Sequence, residues 1–95
     1  MPRIEPQQAV IRGVDYTILT KRMKRFDGLC DHPTTPGREI WIHSSLSGQE
    51  MLDTLIHELI HASYPDLKED AVSETATDIA TVLWDLGYRA EWDEE

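Results

Sequence analysis

From Ser47 to Gly87 apolar residues recur at helical spacing, and the run is interrupted once, at Pro65. A proline has no N–H to give and clashes with the preceding turn, so one continuous helix is excluded and two are required. Ser47 reads as the N-cap of the first, with Glu50 three residues on to close a capping box. The spacing predicts a helix over about Gly48 to Ser63. A second opens at Asp66 and runs to about Leu86, with Gly87 placed to end it.

Upstream of Ser47 the period changes. Gln8 to Thr20 is rich in β-branched and aromatic residues, with Gly13 as a bulge or turn. Asp27-Gly28 signals a turn, Leu29 to Asp31 a short strand, and Pro33, Pro36 and Gly37 a loop. Arg38 to His43 alternates, with Ile40 and Ile42 on one face and Glu39, Trp41 and His43 on the other. That is a strand, hairpin-paired with the segment before the loop. Strands that precede the helices rather than alternating with them give an α+β class. The expectation is a small antiparallel sheet of about three strands followed by two helices. With 95 residues, the chain reads as one domain, 1–95, whose acidic tail, 88–95, holds Trp92.

The net charge is −9, unevenly spread: residues 1–40 carry seven Lys or Arg against five Asp or Glu, and residues 41–95 carry two against thirteen. This argues against nucleic acid as the main partner, and the basic run Lys21, Arg22, Lys24, Arg25 reads as a solvated face. No stretch approaches the roughly 20 apolar residues of a membrane span. Met1 to Val10 does not read as a secretory signal. Cys30 is the single cysteine, so no internal disulfide can form and a cytoplasmic setting is expected.

The chemistry lies in the first helix. His57-Glu58-Leu-Ile-His61 is an H-E-x-x-H motif. A spacing of four puts both imidazoles on one face, one turn apart, where two nitrogens can reach one metal ion. Glu58 can contact a metal-bound water without being a ligand and serve as general base. The apolar half of this helix takes in Met51, Leu52, Leu55, Ile56, Leu59 and Ile60, and the histidines fall outside it. One zinc per chain is the expected cofactor. A catalytic zinc site needs a third protein ligand and an open position. The second helix offers Glu69, Asp70, Glu74 and Asp78 beside a stripe through Val72, Ala76, Ile79, Leu83 and Leu86. Glu74 as ligand, with Asp78 accepting the other N–H of a ligand histidine, would complete the unit. Glu69 is the alternative third ligand.

Asp70-Ala-Val-Ser-Glu74-Thr-Ala-Thr-Asp78 and the H-E-x-x-H helix together resemble the gluzincin metallopeptidases, the thermolysin-like family, over about residues 38–87. The resemblance implies Glu74 as third zinc ligand and Asp78 as the residue orienting a ligand histidine. It implies too that Arg38 to Ser44 is the edge strand along which an extended peptide aligns. The stretch from His61 to Glu74 is shorter than in the large enzymes, and the tyrosine and histidine of their C-terminal subdomain have no counterpart. The chain is more similar to minimal, single-domain forms and to phage and prophage metallopeptidase-like proteins. In those, a G-x-C-D segment like Gly28-Leu-Cys30-Asp31 precedes the strand. Phage or bacterial origin is the corresponding expectation. A transition state with oxyanion character needs a donor besides the metal, and Tyr64, His43 and Tyr88 are the candidates. Three readings follow. The first is zinc-dependent hydrolysis of a peptide or protein substrate. The second is a zinc-holding interaction module with little turnover. The third is a structural site closed by Glu69 or Cys30.

Overall fold

A computed structural model describes residues 5–89, so Trp92 and most of the acidic tail lie outside the described residues. Four strands and two helices follow in chain order: β1 (Gln7–Ile11), β2 (Val14–Lys21), β3 (Gly28–Cys30), β4 (Glu39–His43), α1 (Gly48–Ser63) and α2 (Glu69–Asp85). The α+β order is as expected from the sequence. The sheet is not: it has four strands in the order β1-β2-β4-β3, and it is mixed rather than antiparallel.

Two local facts account for the difference. Arg12 and Gly13 both take positive φ, 50° and 77°, the geometry of a two-residue hairpin turn, and they split the Gln8–Thr20 segment into β1 and β2. The chain then returns through β3, which pairs antiparallel with β4, and β4 drops in beside β2 running parallel to it. As a result β4 is paired on both sides, through Ile18↔Ile40 on one and Cys30↔Ile40 on the other. The expectation that residues 38–44 form an edge strand is therefore corrected: the edge beside the helices is β3.

The alternation of β4 acts as expected. Ile40 and Ile42 are fully buried and join Tyr16, Leu46, Met51 and Ala62 in the core between the sheet and α1. Burying side chains of that size stabilises by roughly 1.5–3 kcal/mol each. On the far face Lys21 lies over the Trp41 ring, 3.8 Å from its centroid. The Arg12 guanidinium donates to the Ser63 carbonyl at 2.8 Å and stacks on Tyr64, tying the β1–β2 turn to the C-terminal end of α1.

Ser47 is the N-cap of α1, but its side chain makes no capping hydrogen bond, so the capping box does not form. The second helix starts at Glu69 rather than Asp66, because Leu67 N–H turns back to the Tyr64 carbonyl and uses up those residues. It ends as expected at Gly87: Gly87 N–H donates to Trp84 and Tyr88 N–H to Leu83, a Schellman closure. α2 meets α1 through Val72, Ala76 and Ala80, all fully buried. The expected stripe holds at Val72 and Ala76 but not at Ile79 and Leu86, which are 41% and 69% exposed, and Ala80 takes the next buried place. Small residues spaced by four let the helices approach closely, and that contact fixes the rotation of α2. Among the described residues no helix is long and apolar enough to cross a membrane.

Candidate metal centre

Met51, Leu55, Leu59 and Ala62 form the row of α1 that packs on the sheet. Glu58 lies on the same side and is 7% exposed. A carboxylate on a core-facing row needs room, and β3 supplies it. Gly28 pairs with Ile42, so it belongs to the sheet face turned toward α1. A Cβ at Gly28 would stand 2.8 Å from Glu58 Oε2 and 2.9 Å from its Cγ. The glycine is the gap that the carboxylate occupies, the close approach that an in-strand glycine permits. Among the described residues Glu58 takes part in no hydrogen bond, and its carboxylate oxygens still reach solvent. Burial pushes its carboxyl up to about 7; His57 opposes this and Glu69 adds to it.

His57 and His61 stand off that row and are partly exposed. Their Nε2 atoms are 3.1 Å apart and the rings meet edge to face at 64°. Glu69 reaches both: Oε1 is 2.8 Å from His57 Nε2 and Oε2 is 2.9 Å from His61 Nε2. Among the described residues this is the one group of three potential ligands whose atoms lie within 4.8 Å of one another. Two imidazoles around a tetrahedral zinc, with Zn–N of about 2.0–2.1 Å, would hold their nitrogens about 3.3 Å apart. The donor set and its spacing fit such an ion.

Glu74 and Asp78 are not brought to the histidines. Both are exposed and line a shallow outer hollow with Ser73 and Thr77. The reason is rotation. At about 100° per residue Glu74 lies some 200° from both Val72 and Ala76, the residues that face α1. Glu69, three residues before Val72, comes round to the α1 side.

The remaining candidates have other work. Tyr64 is 56% exposed and held by Arg12. His43 Nε2 donates to the Met23 carbonyl at 2.6 Å, and its Nδ1 accepts from Ser45 N–H at 3.0 Å. Tyr88 sits past the end of α2. None of the three lines the space beside Glu58. Cys30 does line it, but burial, then the nearby Glu58, pushes its thiol up to about 12, so it stays protonated at neutral pH. Its Sγ donates to the Asp31 carbonyl at 3.3 Å. His32 lines the same space as His57, His61 and Glu69.

Two cavities flank Glu58, of about 370 Å³ and 560 Å³. Phe26, Gly28, His57 and Glu58 line both, so they form one cleft along β3 with the candidate site at its middle. No family model, no curated protein and no solved structure matches the chain.

Proposed function

We propose that this protein is a zinc-dependent hydrolase of peptide bonds, with His57, His61 and Glu69 holding the ion and Glu58 as general base. The observation that carries the reading is the convergence of two Nε2 atoms and one carboxylate within 3.1 Å of each other, beside Glu58, a largely buried residue that makes no hydrogen bond among the described residues. A zinc ion bound there would polarise the scissile carbonyl and lower the pKa of an attacking water to about 7.

The chain's own residues supply the rest. Glu58 takes the proton of the attacking water and returns it to the leaving amine, work worth typically 10²–10⁴-fold in rate. The low-dielectric pocket formed with Gly28 holds its carboxylate in one place. β3 is paired to β4 on one side only, so its other edge offers backbone N–H and C=O groups to an extended peptide. Strand addition there, and not on residues 38–44, would lay a peptide across Glu58.

The test is Glu58→Gln in zinc-loaded protein, assayed on a diverse peptide library. Zinc content should stay at one per chain while cleavage falls by about 10²–10⁴-fold. Equal cleavage by the variant would end the mechanism. Full zinc content with no cleavage by the parent would leave the zinc-holding interaction module.

A further inference from the structure

One row of α2 is left outside the core although it is apolar. Thr75, Ile79, Val82 and Leu86 are all exposed, the last three by 41%, 57% and 69%. At about 100° per residue they fall within about 60° of one another, roughly a quarter-turn round the helix from the buried Val72, Ala76 and Ala80. Their spacing of four, three and four is that of a coiled-coil seam. Tyr88 carries the exposure past Gly87. The other large apolar residues exposed among the described ones, Val10, Phe26, Tyr64 and Leu67, stand on β1 or in loops. Single exposed apolar residues are ordinary, whereas a continuous row of them marks a contact.

The charge beside the row selects what covers it. Asp78 and Asp85 flank it on the side away from α1. Among the described residues neither is in an ion pair. No Lys, Arg or His stands between Lys68 and Arg89, and Arg89 is turned onto the Trp84 ring, 3.9 Å from its centroid. A second copy would bring another Asp78 and Asp85, and a net charge of −9, against the same row. The residues after Arg89 are no better, since Glu91, Asp93, Glu94 and Glu95 are all acidic. Like charges brought together at a contact are unfavourable, and opposite charges select the partner. We propose that the 75–86 row of α2 is an interaction surface for an amphipathic helix of another protein, one whose apolar row is flanked by Lys or Arg. Its apolar side chains interdigitate with Ile79, Val82 and Leu86, and its flanking cations meet Asp78 and Asp85. The row is about 16 Å long, so about three turns of a partner helix cover it. The surface does not depend on the metal site or on turnover.

The experiment titrates the full chain with a labelled peptide of about three heptads, read by fluorescence anisotropy. The peptide has Leu and Ile in its a and d positions and Lys at the flanking e and g positions. A twin carries Glu at those flanks, and a third keeps the Lys but scrambles the apolar order. The Lys peptide should bind at least about tenfold tighter than either. Val82→Ser and Leu86→Ser should each weaken it by about tenfold. Both side chains are exposed, so the melting temperature should hold. Asp78→Lys with Asp85→Lys should turn the preference toward the Glu peptide. Glu50→Gln, in the cleft, should leave binding unchanged. Equal binding of the Lys and scrambled peptides, or a preference untouched by the α2 variants, overturns the surface. So does a dimer of the chain alone in sedimentation that Val82→Ser dissociates, which makes a second copy the occupant. Binding that emerges only after residues 90–95 are removed also overturns it, because the tail is then the occupant.

Discussion

His57 with His61 on α1 and Glu74 with Asp78 on α2 are both pairs of ligand-type side chains one helical turn apart, and only the first meets a third donor among the described residues. His57 and His61 on α1 face the cleft, with Nε2 atoms 3.1 Å apart and Glu69 within 2.9 Å of each. Glu74 and Asp78 on α2 have the same spacing and stand exposed on the far side. Spacing of four makes a bidentate row on any helix. Whether the row becomes a site depends on what the helix is packed against, and here the α1–α2 contact through Val72, Ala76 and Ala80 decides it.

The sharpest way to break this comparison is metal stoichiometry. His61→Ala should reduce bound zinc from about one per chain to near zero after dialysis, because two remaining donors make a weak site. Glu69→Gln should weaken binding by at least about tenfold, since a neutral amide replaces a ligand carboxylate. Glu74→Gln and Asp78→Asn, singly or together, should leave zinc affinity within about twofold. A large loss with Glu74→Gln and none with Glu69→Gln would mean that α2 is rotated in solution relative to the arrangement described here.

That contrast marks how far the sequence could be read. Pro65 and Gly87 carry their own geometry, so the helices were legible to within a few residues at each end. His57, Glu58 and His61 were legible because their spacing is local. The choice between Glu69 and Glu74 was not, because both lie on α2 and only its rotation separates them. A stripe through Ile79 and Leu86 fits the helical period as well as one through Ala80; close packing of small residues selected the latter. The sheet was misjudged for a similar reason. Parallel pairing of β2 with β4 joins Thr17 to Glu39 across β3 and the loops on either side of it, and no local pattern announces it. The room for Glu58 comes from Gly28, thirty positions away in the chain. Asp27-Gly28 reads as a turn in the sequence, whereas Gly28 belongs to β3, where an in-strand glycine permits the close approach.

Gly28 gives the next, smaller test. Gly28→Ala puts a methyl within 3 Å of Glu58 Oε2, Glu58 Cγ and Thr54 Cγ2. Glu58 and Thr54 must both shift to admit it, so the melting temperature should fall, while the three proposed metal ligands, which the methyl does not meet, should stay in place. Zinc content should therefore be unchanged while peptide cleavage falls by about tenfold or more, the cost of misplacing the base by an ångström. Gly37→Ala is the control: φ is +64° with nothing near its Cβ, so it should lower the melting temperature without changing cleavage. If Gly28→Ala cleaves like the parent, Glu58 is not held by this contact.

The smallest effect concerns the metal-free protein and the burial of Glu58. Burial lifts the Glu58 carboxyl from 4.5 to about 7. The folded chain then prefers the protonated form, while the unfolded chain ionises near 4.5. Stability from this group is complete below that value and is lost as pH rises through about 7. Glu58→Gln has no such proton to lose. In a chelator, its melting temperature should gain on the parent between pH 4.5 and about 7 by several degrees, then stay level. Zinc should erase the Glu58 difference, because a cation beside the carboxylate favours its ionised form. A gain that is constant with pH would show that burial of Glu58, the feature that distinguishes the two helix faces, is not felt as a charge in solution.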